Sequence, residues 1–172
     1  MKNFVLQFSK LMQPLSTLAL WLSGTGLVAI TAMSAWQVFG RYILNNSPTW
    51  TENLSVLFMG WFILLGASVG IREGNHLSFE ILLHVLGPKG NFILNMISDL
   101  VVIAFGYGMV YYGSQLFKNA WPTTIPNLGV SGGLSFVALI AGGVIIILFS
   151  VERIMRRLVG LPTARFVEVS EE

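Results

Sequence analysis

The sequence predicts an all-α integral membrane protein with four transmembrane helices, and three observations carry that prediction. Of 172 residues, 54% are hydrophobic and only 10% charged, whereas about a quarter of an ordinary soluble domain is charged. Apolar runs recur at about 15–40, 50–71, 91–117 and 134–151, each close to or above the roughly 20 residues that cross the hydrocarbon. The ionisable residues around the first two runs sit at their ends: Arg41 follows the first, Glu52 opens the second, and Arg72, Glu73 and His76 close it. A bilayer holds no water for stray charges, so such residues mark anchoring, helix pairing or subunit contact. The loops and termini leave no room for an extramembrane catalytic domain, and residues 1–172 read as a single membrane domain.

The first run follows Lys2 and Lys10, and Ala32-Met33-Ser34 loosely resembles a cleavage site for a signal peptide. The run extends from Leu15 through Trp36 to Phe39, however, well beyond the roughly 7–15 residues of an h-region. It reads as a retained helix. A tight turn over Arg41–Thr49 leads to the second run, where Ser47 or Thr49 suits a helix cap and Pro48 a first turn. Thr49-x-x-Glu52 fits a capping box. Glu52 is equally placed to pair with Arg41 across the turn or with a cation on a partner. Gly66 and Gly70 form a small-xxx-small surface for close helix approach.

A shorter segment, about 75–87, lies between the second and third runs. On a helix, Glu73, His76, Glu80 and His84 form one polar stripe, apolar residues cover the rest, and Gly87-Pro88 stops it. Too short to cross, it is expected to lie along the cytoplasmic membrane face. His76, Glu80 and His84 have metal-ligand spacing, but the wet side of an amphipathic helix has the same interval and no fourth ligand is in sight. No metal or other cofactor is expected.

The third run, 27 residues and about 40 Å long, should tilt or protrude. It contains Asp99, about 12 Å from Asn91 at its start, with Asn95 one turn earlier. An intramembrane carboxylate is by default a functional candidate. With no other ionisable residue expected at its depth, a structural or subunit-facing role is favoured over an ion relay. The second outer segment, Asn119–Gly133, holds two prolines and three glycines and reads as irregular.

The basic residues set the orientation. With both termini cytoplasmic, Lys2, Lys10, Arg72, Lys89, Arg153, Arg156, Arg157 and Arg165 lie inside, and only Arg41 and Lys118 lie outside. Their scatter beside the runs argues against nucleic acid as a partner. With no cysteine, disulfides, thiolate metal sites and a cysteine nucleophile are excluded, and the chain does not read as an enzyme.

Three stretches together resemble a known family: FGRYILNNSPTWTEN (39–53), WFILLGA (61–67) and IREGNH (71–76). Arg41, Tyr42, Pro48, Trp50, Glu52, Gly66, Arg72, Gly74 and His76 occupy the positions of the pattern in the small membrane subunit of tripartite ATP-independent periplasmic (TRAP) transporters. The resemblance implies a multi-pass bacterial inner-membrane protein with two partners. One is a large, elevator-type membrane subunit carrying the substrate and sodium sites. The other is a periplasmic binding protein that delivers an organic acid, of sialic acid or C4-dicarboxylate type. This chain would be the scaffold, in contact with membrane lipids and the large subunit, with Arg41, Glu52, Gly66, Gly70, Arg72, His76 and Asp99 as interface or structural residues.

Two other classes fit four helices. A stand-alone small exporter would want a carboxylate deep in an early span, whereas Glu52 sits at a helix end. A membrane anchor of another complex, such as a redox enzyme, would want histidine pairs within the spans, and there are none.

Overall fold

A computed structural model describes residues 2–46, 49–73 and 80–161, with the backbone alone at 80–89 and 91. The described residues form four helices: α1 (Lys2–Tyr42), α2 (Thr49–Glu73), α3 (Glu80–Ala120) and α4 (Leu134–Leu158). All four contain stretches long and apolar enough to cross a membrane, the third over Phe92–Ala120.

Each helix outruns its apolar stretch, and the extensions matter. α1 begins 13 residues before Leu15 and continues through Pro14. α4 carries its helix past Val151 to include Glu152, Arg153, Arg156 and Arg157. α3 starts at Glu80 and runs on through Gly87-Pro88, so the stop expected there does not occur. Proline removes one backbone donor but is tolerated where neighbouring groups compensate. His76 lies outside the described residues, as do the side chains of Glu80 and His84. The surface orientation expected for the 75–87 segment therefore lies outside them too.

The helices pack as an open layer. α1 lies against α2, α2 against α4, and α4 against α3, with a lighter contact between α1 and α4. α4 is enclosed on two sides, and a third of its most apolar window is buried, against 11% for α1. Sequence explains the seams. On α1 the buried positions Val5, Ser9, Met12, Ser16 and Ala19 recur at alternating steps of four and three, one helix face. Most are small, so the backbones approach closely.

Glycines sharpen this. A Cβ on Gly26 would collide with the Phe62 ring at 2.0 Å, and one on Gly66 would lie 2.5 Å from Ser23 Oγ, which donates to the Phe62 carbonyl at 3.0 Å. Between α3 and α4, Gly106 and Gly143 abut, each within about 3 Å of the other's carbonyl oxygen once a Cβ is placed. α1 and α2 thus approach closely at Gly66, while nothing in this chain lies within 4 Å of the Cβ position of Gly70.

The second outer segment is a compact turn. Thr124 and Ser131 bridge, the Ile125 amide donates to the Val130 carbonyl at 2.8 Å, and Asn127 adopts φ 65° after Pro126, a region asparagine tolerates. The Asn53 amide ties the turn to α2 by donating to the Pro126 carbonyl at 2.6 Å.

Candidate functional site

One end of the layer holds a buried polar network drawn from all four helices. It contains four arginines, two carboxylates and a serine. Glu152, on α4, is 1% exposed. Its Oε2 accepts from Arg72 Nε at 2.8 Å and its Oε1 from the same guanidinium at 3.0 Å, the two-pronged geometry that favours arginine over lysine. Ser9, on α1, donates to Oε1 at 2.6 Å and accepts from Arg156 at 2.9 Å. Arg156 also lies 3.7 Å from Glu152, one turn away on α4. The Arg72 guanidinium sits 5.6 Å from the ring centroid of the fully buried Phe149, which adds a cation–π attraction.

Asp99, on α3, forms the second half. It is 1% exposed, its Oδ2 lies 2.7 Å from Arg157 and its Oδ1 lies 3.4 Å from Arg153 Nε. The latter is an ion-pair distance without hydrogen-bond alignment, since that Nε has no hydrogen-bond acceptor. Arg153 also donates to the Ile71 carbonyl at the end of α2. Arg153 thus touches α2 and α3 from α4, as Glu152 touches α1 and α2.

This corrects the expectation that Asp99 is alone at its depth. Depth measured along α3 from Asn91 ignores how far α4 extends as a helix. Its last two turns bring three arginines level with Asp99. Sequence reading treated Arg153, Arg156 and Arg157 as topology signals and passed over Glu152 and Ser9. The available signal was Glu152 and Arg156 at i and i+4 on the helix face that also carries Phe149.

The other expected residues lie elsewhere. Arg72 belongs to the network and is buried. Glu52 is in the first turn of α2, and Arg41 in the last turn of α1. Both are exposed, and no ion pair joins them among the described residues.

The arrangement clamps helices: both oxygens of each carboxylate face guanidinium groups. With Phe39–Tyr42 and Thr49–Glu73 of the hairpin motif on the first two helices, the comparison with known proteins is decisive: the family model for tripartite ATP-independent periplasmic transporters, DctQ component, matches residues 8–160. The chain belongs to this family. The DctQ-component match spans all four helices and the whole network. Among curated relatives, the sialic acid TRAP transporter small permease protein SiaQ of Vibrio cholerae is 25% identical over 142 residues, 80% of this chain and 82% of that protein. A putative TRAP transporter small permease protein of Haemophilus influenzae is 28% identical over 116 residues, 67% of this chain and 71% of that one. The sialic acid TRAP transporter permease protein SiaT of H. influenzae is 26% identical over 109 residues, 63% of this chain but 18% of SiaT. The chain is therefore a TRAP small permease subunit, a multi-pass protein of the inner membrane.

Proposed function

We propose that this chain is the static scaffold of a sodium-coupled TRAP transporter. It binds a larger membrane subunit that moves substrate, while a periplasmic binding protein delivers an organic acid. The observation that carries the reading is the network. Its carboxylates are committed to arginines, and its bonds join α1, α2, α3 and α4, as suits a part that must not move. A carboxylate serving sodium or protons has to exchange partners in each cycle. The match inside SiaT, a protein more than five times longer than the matched region, supports physical union with a large permease partner. Sialic acid and C4-dicarboxylate are the substrate types suggested by the relatives' names. The basic end of the layer, with Arg72, Arg153, Arg156 and Arg157, faces the cytoplasm by the positive-inside rule, which puts both termini there.

The test is co-expression with a TRAP large permease subunit. Tagged small subunit should retain the large subunit through purification. Reconstituted vesicles should take up substrate only with both subunits, sodium and a binding protein present. Uptake by this chain alone would overturn the scaffold reading.

A further inference from the structure

Resting on the small-subunit reading above, we propose that the face of α3 turned away from α4, centred on Tyr107, Tyr111 and Tyr112, is the seam against the large membrane subunit. The argument is one of depth. Gly106 abuts Gly143, and Gly113 lies against Leu139 and Ile140. Residues 107–112 therefore stand beside the middle of the apolar run 134–151 on α4, about 13 Å along the helix from either end. At that depth the three tyrosines are 65%, 50% and 64% exposed. Tyr107 and Tyr111 stack at 6.2 Å, and Tyr112 meets Tyr111 edge-on at 5.2 Å. Among the described residues none of the three phenols makes a hydrogen bond.

Tyrosine favours the membrane interface, where the ring is in hydrocarbon and the hydroxyl is wet. At the middle of a span the side chain is too short to return its hydroxyl to the surface, and an unbonded hydroxyl in hydrocarbon costs several kcal/mol. Lipid tails offer no acceptor. A transmembrane partner with polar side chains or broken-helix carbonyls at mid-depth does, and a transporting subunit carries such groups by necessity. Gly108, open to the same face with nothing within 4 Å of its Cβ position, lets that partner come close.

The opposite flank behaves otherwise. On α1 the exposed hydroxyls of Thr25 and Thr31 donate to their own helix, to the carbonyls of Trp21 at 2.7 Å and Leu27 at 2.9 Å. Those two hydroxyls are satisfied within α1 and need nothing from a neighbour.

The experiment uses both membrane subunits co-expressed in native membranes. A photo-crosslinking p-benzoylphenylalanine replaces Tyr111 or, on α1, Leu27. Irradiation should join the Tyr111 variant to the large subunit and leave the Leu27 variant unjoined to it. Replacing all three tyrosines by phenylalanine keeps rings and helix and should weaken association about 20-fold, at about 0.6 kcal/mol per interhelical hydrogen bond and tenfold per about 1.4 kcal/mol. Adducts from Tyr111 only to lipid or to a second copy, or an unchanged affinity of the triple variant, overturn the assignment. If the wild-type chain retains no large subunit at all, the small-subunit reading fails first and this one with it.

Discussion

Replacing Glu152 by alanine tests the network at its most connected residue. The change removes the acceptor of three hydrogen bonds, two from Arg72 and one from Ser9, and leaves Arg156 without its neighbour at 3.7 Å. Hydrogen bonds to charged groups contribute about 1.5–3 kcal/mol each, but the bonds share one carboxylate and do not add. Loss of one partner from a buried pair costs about 3–5 kcal/mol, and that is the expected destabilisation. A domain of 150–250 residues shifts its Tm by about 2–4 °C per kcal/mol, so Glu152→Ala should lower the midpoint by roughly 6–20 °C. The assay is thermal unfolding of the purified chain in nanodiscs, with Glu52→Ala as comparator. Glu52 is exposed, and such charges contribute about 0–1 kcal/mol, a shift under about 4 °C. A cycle of Glu152→Gln with Arg72→Met should be non-additive by about 0.5–3 kcal/mol, as for contacting groups. If Glu152→Ala unfolds within 2 °C of wild type, and Glu152→Gln and Arg72→Met simply add, the network is not what holds the helices.

Three further outcomes follow from the same geometry. Asp99→Asn keeps the shape but withdraws the countercharge of Arg153 and Arg157. Sodium dependence and substrate affinity of the reconstituted transporter should persist while its Tm falls, and an altered sodium stoichiometry would make Asp99 a coupling residue. Gly143→Ala pushes a methyl against the Gly106 carbonyl and Met109 at 2.9 and 3.0 Å and should cost about 1–3 kcal/mol, whereas Gly70→Ala enters open space and should be neutral or slightly stabilising; denaturation of the two variants side by side reads the difference. For orientation, an impermeant thiol reagent on spheroplasts should label Asn46→Cys and spare Ser170→Cys, and the reverse pattern would invert the topology.

What was legible in the sequence follows from what is periodic or local. Four apolar runs give four helices, and the ordered motif from Phe39 to His76 gives the family. The clamp was not legible because its bonds run sideways. Ser9 and Glu152 are 143 positions apart, Arg72 and Glu152 are 80, Asp99 and Arg157 are 58. Nothing along the chain says that the last turns of α4 stand beside Asp99. Small residues were equally ambiguous. Gly66-x-x-x-Gly70 has the right spacing, yet within this chain only Gly66 meets a neighbouring helix, and close approaches also fall at Gly26, Gly106, Gly142 and Gly143, which that spacing did not single out.

The chain separations in the clamp also set an order of events. As the polypeptide enters the membrane from its N-terminal end, Ser9, Arg72 and Asp99 are all in place before any of their counterparts has been made. Two of these carry charge, and they wait at a membrane boundary until Glu152, Arg153, Arg156 and Arg157 arrive within six residues of one another. The fourth helix is thus the latch of the molecule. A chain halted before Glu152 has four apolar stretches but no closed fold, and it exposes an arginine and an aspartate to whatever surveys unfinished membrane proteins.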